Sequence, residues 1–330
     1  MYNGRRGGWA LGRCLAISLL ALGLIAGTWT AALAAGEHGS TTPPERSHAV
    51  ETDSLFGFTE GSDAGDAGER EVSYQLTGRR LRGWNGYTAA DHQVAFEYGM
   101  RDDLKLGIGT SLDVYRFPRP NLTSDQIAAS DEPNELLPLF HRRSIAQSLS
   151  GDLKYRLLER GPENPIGLAL ALEPQYRRVL DGRGFHTQLF QFETRLIADT
   201  ALIPDRLFAA ANLAWEPGIT RTFEKKTARD TTVQASLALA GRVAESVFLG
   251  AEARYLGSFE GYAFRKSPDF GIFVGPTLYA KLNEKVSVSA AYGTRVGGVI
   301  RKAPEPVPDF GNVPAPAERH HLRVKVGYTF

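Results

Sequence analysis

Apolar and polar residues alternate with a period of two along most of the chain from residue 69 onward. The pattern is clearest in the last ten residues, where apolar side chains occupy every second position from Leu322 to Phe330 and Arg323 and Lys325 lie between them. Because successive side chains of a β-strand point to opposite faces, this pattern predicts a strand with one apolar and one polar environment. We identify twelve such strands, at approximately residues 69–78, 90–99, 104–116, 144–157, 166–178, 186–200, 207–219, 229–241, 247–259, 270–281, 286–297 and 319–330.

The connections between these strands alternate in length. Short turns are predicted at residues 101–103, 159–165, 203–206, 244–246 and 283–285. Longer connections are predicted at 79–89, 117–143, 220–228, 260–269 and 298–318, with 181–184 as a short exception. Barrels of the outer membrane have short turns at the periplasmic end and long loops at the other. The sequence therefore predicts an all-β fold, an up-and-down antiparallel transmembrane β-barrel of about 12 strands over residues 69–330.

A soluble β-sandwich is the alternative all-β fold. The predicted strands, of about 10–13 residues, are long enough to cross a bilayer at a tilt, whereas strands of globular proteins usually have about 5–6 residues. Charges of both signs also recur on the polar face more regularly than a sandwich requires. An even number of strands places both ends of the barrel in the periplasm.

The first 34 residues have the three parts of a secretory signal peptide. Arg5, Arg6 and Arg13 precede an apolar stretch at Leu15–Gly27, and small residues follow at positions 32 and 34. The apolar stretch is shorter than the roughly 20 residues of a spanning helix, which disfavours a membrane anchor. We therefore predict export of a mature chain that begins near residue 35.

Composition alone suggests a soluble protein and is misleading here. The 330 residues are 42% hydrophobic, with a mean hydropathy of −0.24 and a formal net charge of +1. Strands with one face toward lipid and one toward a polar lumen average to such values. The absence of a basic excess gives no indication of nucleic-acid binding. The one cysteine, Cys14, lies in the predicted signal peptide, so no disulfide or thiol chemistry is expected in the mature chain.

Residues 35–68 form a separate polar and acidic segment. Between residues 36 and 68 it holds seven carboxylates and one arginine, together with proline, glycine and serine. The simpler interpretation is a flexible acidic periplasmic leader, because little of it could form a core. The other is a short plug or docking segment, anchored by Phe56 and Phe58.

The C-terminus resembles that of Gram-negative outer-membrane β-barrels, and the segment Asp53–Gly68, continuing into the first strand, resembles the start of some uncharacterised proteobacterial, porin-like barrel proteins. The resemblance rests on the terminal aromatic Phe330 and on Tyr328 and Val326 at alternate positions before it. It implies that these residues are an assembly signal read by the barrel-assembly machinery. It also implies insertion into the outer membrane, in contact with lipid and lipopolysaccharide.

Charged residues on the polar faces are predicted to line the lumen. The set contains Glu97, Lys105, Asp113, Asp152, Lys154, Arg156, Glu173, Arg177, Glu193, Arg195, Glu252, Arg254, Arg323 and Lys325. Neither sign dominates. Cross-strand ion pairs could fill the interior, or the charges could line a narrow wet channel. The long loop 117–143 is predicted either to fold inward as a constriction or to lie at the surface.

Aromatic residues near the predicted strand ends are typical of the girdles at the two membrane interfaces. We assign to these girdles Tyr87, Tyr115, Phe185, Phe259 and Tyr262 at the outer end, and Tyr98, Phe208, Tyr328 and Phe330 at the inner end.

Five histidines fall near the predicted outer rim, namely His92, His141, His186, His320 and His321. We interpret them as polar rim residues; an acid–base pair at Asp91-His92 and a metal site at the C-terminal pair are the alternatives. No enzyme, catalytic residue, metal or cofactor is predicted. The favoured function is a passive channel for small polar solutes. A non-conducting structural or binding barrel is the second hypothesis, and a rim hydrolase acting on lipid or peptide is the third.

Overall fold

The structure is a computed structural model, which describes residues 50–80, 88–116, 143–161, 163–180, 186–221, 227–262, 269–300 and 318–330. The predicted signal peptide, the first part of the acidic segment and all but the last residue of loop 117–143 lie outside the described residues. Ala49–Phe330 is one compact unit. No helix in the described ranges is long and apolar enough to cross a membrane.

Twelve antiparallel strands form one closed barrel, in which β1 pairs with both β2 and β12. The strands are β1 (Arg70–Arg80), β2 (Thr88–Arg101), β3 (Leu104–Arg116), β4 (Arg143–Leu158), β5 (Ile166–Leu180), β6 (His186–Ile203), β7 (Leu207–Arg221), β8 (Thr227–Ala244), β9 (Val247–Glu260), β10 (Asp269–Lys281), β11 (Val286–Val299) and β12 (His320–Thr329). The predicted fold class is confirmed, and each predicted strand end lies within three residues of the observed one. The sandwich alternative is wrong because the sheet closes on itself.

The two faces of the wall have opposite chemistry, as the period of two requires. Outward side chains are apolar and exposed, for example Leu237 at 65% and Leu213 at 55% of their surface. Inward side chains are polar or small, and Asp113 and Lys154 are almost completely buried. The outward side chains are apolar, and the closed sheet satisfies its own backbone hydrogen bonds. Both properties make the outside of the barrel suited to a hydrocarbon environment.

Two aromatic residues assigned to the girdles face the lumen instead. Tyr115 is 3% exposed and Phe208 is 2% exposed, whereas Tyr98, Tyr262, Tyr328 and Phe330 are exposed on the outside. Phe259 is half-buried, and Tyr87 and Phe185 lie outside the described residues. The error came from position along the strand: Tyr115 has the same parity as the inward residue Asp113, and parity decides the face.

The connections divide the barrel into two ends. The five connections β2–β3, β4–β5, β6–β7, β8–β9 and β10–β11 are short, and we call this the short-turn end. The chain enters β1 at the same end. Immediately before β1, residues 50–68 lie inside the barrel, where they contact the inner face of strands all around the wall. We call residues 50–68 the lumenal segment.

Candidate functional site in the barrel lumen

The lumenal segment is joined to the wall by backbone hydrogen bonds just before β1 begins. The Gly68 amide donates to the Gly99 carbonyl at 2.7 Å, and the Gly99 amide donates to the Glu69 carbonyl at 2.9 Å. A side chain at residue 99 would place its Cβ 2.1 Å from the Asp66 carbonyl oxygen. Glycine is therefore required where the segment crosses the end of β2.

An apolar contact holds the middle of the segment. Leu55 and Phe56 are 1% and 0% exposed, and they pack against Phe208 and Phe248 on the inner wall. The wall is lined there by three small residues, Ala210, Ala238 and Ala240. Small side chains leave room inside the barrel, and the two bulky residues of the segment fill that room.

Three cations lie in one row of the wall, across β3 to β6. Lys105 is the cross-strand neighbour of Lys154, and Lys154 is joined through Ala171 to Arg195. We call Lys105, Lys154 and Arg195 the basic row. Asp53 of the segment pairs with both lysines: its Oδ2 lies 2.6 Å from Lys105 Nζ, and its Oδ1 pairs with Lys154. One segment carboxylate thus bridges two wall cations.

Lys154 is 2% exposed, and its contacts come from the segment. Besides the ion pair with Asp53, its Nζ donates to the Gly61 carbonyl at 2.6 Å. Within the described ranges, its ion pair with Asp53 is the one formed by this side chain. Lys105 differs, because Glu97 on β2 also lies 2.7 Å away.

The other segment carboxylates meet arginines. Glu60 pairs with Arg195, which also pairs with Glu193 of its own strand. Asp63 lies 3.6 Å from Arg156 and 3.7 Å from Arg160. These contacts extend the ionic surface between segment and wall beyond the basic row.

Backbone hydrogen bonds to wall carboxylates complete the docking. The Thr59 amide donates to Glu252 at 2.7 Å, and the Ser62 amide donates to Asp199 at 2.6 Å. Thr52 donates its hydroxyl to Asp199 at 2.5 Å. Buried carboxylates that accept hydrogen bonds from backbone amides hold a chain in one position, because leaving either partner without a hydrogen bond is costly.

Gly57 and Phe58 of the segment contact two arginines of the wall. The guanidinium carbon of Arg254 lies 3.5 Å from the centroid of the Phe58 ring, and that of Arg323 lies 5.7 Å from it. Arg323 also donates to the Gly57 carbonyl at 2.9 Å. Gly57 has φ +88°, and a Cβ there would lie 2.6 Å from that of Ala291, so only glycine fits. Stacking on Phe58 gives the two arginines a partner that carries no charge.

The cations of the wall control the ionisation of the segment. Burial alone would raise the pKa of Glu60, but Arg195 and Lys154 outweigh it and lower the pKa to about 2. For Asp53, burial is likewise outweighed by Lys105, Lys154 and Lys325, which hold its pKa well below its usual range. Both carboxylates are therefore ionised at neutral pH.

A cavity of about 370 Å³ lies in the lumen next to the segment. Its floor includes Phe58 and Glu60 of the segment, and its wall carries groups of both signs, among them Asp152, Glu173 and Arg177. The size is that of a small-ligand site. The polar lining makes it suited to small polar molecules and water.

Toward the long loops, the wall forms a charge network of its own. Asp113, 0% exposed, lies 3.5 Å from Arg79 and 3.6 Å from Arg177, and it accepts a hydrogen bond from Tyr115 at 3.2 Å. Arg79 also lies 3.4 Å from Glu318. Ion pairs between strands of this kind are what the hypothesis of a filled interior predicts.

The structure places all fourteen predicted lumen residues on the inner side. Those that contact the lumenal segment are Lys105, Lys154, Arg156, Arg195, Glu252, Arg254, Arg323 and Lys325. Those that pair within the wall are Glu97, Asp113, Arg177 and Glu193. Asp152 and Glu173 line the cavity, as do Lys105, Lys154 and Arg195. Val326, Tyr328 and Phe330 point outward, and their role as an assembly signal stays a prediction.

Sequence reasoning missed Arg160, which contributes from the β4–β5 turn. Its Nη1 lies 2.6 Å from Asp199, and its Nη2 donates to the Val50 carbonyl at 3.1 Å. A turn residue has no strand parity, so no periodic signal could have assigned Arg160 to the lumen.

The histidine alternatives are wrong where the structure describes them. Asp91 lines the cavity, whereas His92 lies on the outside and is hydrogen-bonded to the Tyr74 hydroxyl, so the two cannot act as a pair. His320 and His321 likewise face opposite sides: His320 stacks on Tyr292 outside, and His321 is buried. Adjacent strand residues always diverge in this way.

The remaining two histidines are not covered. His141 and the side chain of His186 lie outside the described residues. In the part of the chain that is described, no group of three or more His, Cys, Asp or Glu side chains is placed to hold a metal ion.

Residues 48–330 match a protein family described as a family of unknown function (DUF6662). The match covers the lumenal segment together with the whole barrel. The chain belongs to this DUF6662 family. Among curated proteins, no match was found.

Solved structures identify the fold of this DUF6662 member at low sequence identity. An outer-membrane channel from Pseudomonas putida F1 is 13% identical, with a TM-score of 0.51 over 82% of this chain and 98% of that one. The β domain of the Bordetella autotransporter BrkA is 10% identical, with a TM-score of 0.51 over 80% and 100%. The translocator domain of the autotransporter NalP from Neisseria meningitidis is 12% identical, with a TM-score of 0.47 over 82% and 91%. The fold is that of outer-membrane β-barrels.

Proposed function

We propose that this protein is an outer-membrane channel for small polar solutes whose lumen is closed at the short-turn end by the lumenal segment. The observation that carries the proposal is the arrangement of the lumen. A polar cavity of about 370 Å³ lies on one side of a segment that is held by ion pairs and hydrogen bonds and one small apolar contact. Movement of the segment would open the short-turn end.

The same fold supports a proposal for the setting of the channel. The outward apolar face contacts lipid and lipopolysaccharide, and the barrel-assembly machinery inserts the chain through its C-terminal residues. Both chain ends of the barrel lie in the periplasm, so the segment closes the periplasmic end. The channel needs no cofactor, and we assign it no enzymatic activity.

A non-conducting binding barrel is the second candidate. The network around Asp113 favours it, because Arg79 and Arg177 occupy space toward the long loops that a solute would otherwise use. The two candidates differ in whether ions cross the barrel when the segment is free to move. Current through single molecules therefore distinguishes them.

A reversible disulfide across the segment and the wall provides the test. A Cβ built at Gly167 on β5 lies 3.2 Å from the Cβ of Ser62, slightly below the range of about 3.5–4.5 Å that disulfides adopt. Joining Ser62→Cys to Gly167→Cys requires an adjustment of a few tenths of an ångström, and Asp199 Oδ1, which lies 2.9 Å from the new Cβ, must move with it. Cys14 is the one natural cysteine and precedes the predicted mature chain.

In planar-bilayer recordings, we expect the oxidised double variant to give no current. After reduction with dithiothreitol, stepwise openings should return to the frequency of the wild type. Ser62→Cys alone and Gly167→Cys alone are the controls and should not respond to oxidation. If neither the wild type nor the reduced variant ever conducts, the channel is excluded and the non-conducting barrel is supported.

A further inference from the structure

We propose that the basic row is a binding site for solutes that carry two or more carboxylates, and that the lumenal segment occupies this site as an internal stand-in for such a solute. The inference rests on the proposed function, whose solute class it specifies. The occupant seen in the structure is a carboxylate: Asp53 bridges Lys105 and Lys154, and Glu60 pairs with Arg195. Binding of a polycarboxylate would compete with docking of the segment.

Lys154 is the residue of the basic row that takes its counter-ion from the segment. Within the described ranges, Lys105 has Glu97 and Arg195 has Glu193 as partners from the wall, but the ion pair of Lys154 is with the segment. In the docked state Lys154 is 2% exposed, and Asp53 neutralises a charge that would be strongly unfavourable at that burial. When the segment leaves, water or an anion must therefore take the place of Asp53, and an anion satisfies the charge as well as the hydrogen bonds.

The spacing along the wall favours a ligand with several carboxylates. Lys105 and Lys154 are direct cross-strand neighbours, and Arg195 lies two strands further in the same row. The segment answers with two carboxylates seven positions apart in the chain, Asp53 and Glu60. A monocarboxylate could satisfy only one part of the row, whereas a tricarboxylate reaches more of it.

The row next to the basic row, on the side of the long loops, is acidic and gives the wild type a different selectivity while the segment is docked. Glu97 and Asp152 are both cross-strand neighbours of Gly107, and Glu173 is the neighbour of Glu193. Asp152 and Glu173 line the cavity together with Lys105, Lys154 and Arg195, whose charges are paired with Asp53 and Glu60 of the segment. Displacement of the segment therefore removes Asp53 and Glu60 from the surface that a solute meets and leaves the three cations of the basic row to bind it.

Citrate is the probe, and spermidine and sodium chloride at matched ionic strength are the controls. We measure citrate binding by calorimetry on the full folded chain in detergent. The triple variant Asp53→Asn, Glu60→Gln and Asp63→Asn retains the shape of the segment and removes three of its five carboxylates, those whose ion pairs with wall cations are described above. Because the internal competitor is weakened, citrate should bind this variant roughly tenfold more tightly than the wild type. Spermidine should show no such gain.

Two further variants decide between the basic row and a general effect of charge. Lys154→Met added to the triple variant should abolish the gain in citrate affinity, whereas Lys285→Met, an exposed lysine of the β10–β11 turn, should leave it unchanged. The oxidised Ser62→Cys/Gly167→Cys chain should bind no citrate and regain binding on reduction. This second route does not depend on folding of the triple variant.

Citrate affinity that is equal in the wild type and the triple variant, or insensitive to Lys154→Met, would overturn the inference. Calorimetry reports on the site alone, and current reports on the channel alone. A conducting barrel without citrate binding therefore rejects this site and retains the channel. Citrate binding without current rejects the channel and retains the site.

Discussion

The two halves of the lumen use the same types of residue but complete their charges in different ways. Toward the long loops, Asp113 finds Arg79 and Arg177 on neighbouring parts of the wall, so the barrel supplies both signs. Toward the short turns, Lys154 finds Asp53 of the lumenal segment. One half is therefore complete within the barrel, and the other is complete only while the segment is docked.

This difference indicates where movement costs least within a rigid barrel. Separating Asp113 from its arginines would require the strands to move, against the hydrogen bonds of a closed sheet. Releasing Asp53 requires only that a segment outside the sheet leaves its site. A closed barrel can thus keep its wall fixed and still change its lumen, because the missing charges are supplied by a part of the chain that the sheet does not hold.

The largest effect is expected from Lys154→Met, which removes the ion pair between this wall lysine and Asp53 of the segment. Removing one member of a buried ion pair typically costs about 3–5 kcal/mol when the remaining charge is left unpaired, and the lower end of this range applies here because Lys105 still pairs with Asp53. Docking of the segment should weaken accordingly, with hydrogen exchange at the Thr59 and Ser62 amides at least about 100-fold faster. Mass spectrometry of the exchanging segment measures this change.

Lys285→Met is the matched control for Lys154→Met, because it removes an exposed lysine at the same end of the barrel. It should leave exchange in the segment unchanged. Equal protection of Thr59 and Ser62 in the wild type and in Lys154→Met would contradict the assignment of Lys154 as the residue that depends on the segment.

An intermediate effect is expected from acid. The pKa values of Asp53 and Glu60 are lowered in the docked state, so docking gains stability above their ordinary pKa values and loses it as the pH falls toward about 2. Protection of the segment should be constant from pH 7 to about 5 and then fall, with a loss of about tenfold from Glu60 by about pH 3.5.

Exchange corrected for the intrinsic effect of pH checks this expectation. Glu60→Gln, which cannot ionise, should show weaker protection at neutral pH and a shallower fall in acid. A segment that stays fully protected down to pH 2 in the wild type would show that these ion pairs do not control its docking.

The smallest effect is expected from Ser148→Ala, in the half toward the long loops, where the wall supplies charges of both signs. Ser148 and Ser111 are hydrogen-bonded through their hydroxyls at 2.6 Å on the inner wall. Losing a single hydrogen bond should lower the free energy of unfolding of the barrel by about 1 kcal/mol, without changing exchange in the segment. Urea titration of the folded barrel measures the first quantity.

The double variant Ser111→Ala/Ser148→Ala sharpens the same comparison. Both hydroxyls belong to one hydrogen bond, so that bond can be lost only once. The free energy of unfolding of the double variant should therefore be close to that of either single variant, and the two single losses should not add. Faster exchange at Thr59 in any of these variants would show that the two halves of the lumen are coupled.

The wall of the site was predictable from sequence, and its pairing was not. Parity alone assigned Lys105, Lys154 and Arg195 to the inside, since each alternates with outward apolar residues. That Lys105 and Lys154 meet the same carboxylate depends on the register between β3 and β4, which a period of two does not contain. Asp53 lies 52 and 101 positions from these two lysines, so no local pattern joins them.

The segment shows the same limit from the other side. The sequence predicts Phe56 and Phe58 as anchors of a docking segment, because they are apolar residues in a polar stretch. Their partners are an alanine-lined patch for Phe56 and the guanidinium of Arg254 for Phe58, both far away in the chain. Composition could identify an unusual segment, but only the closed geometry of the barrel reveals what it contacts.

The position of the segment before β1 sets the order of events during assembly. The segment is the first part of the described chain to be synthesised, yet Arg323 and Lys325, which contact Gly57 and Ser54, lie on β12, 266 and 271 positions later. Its site is complete only when β12 has paired with β1 and the barrel has closed. The part of the chain that is made first therefore completes its contacts only with the strand that is made last.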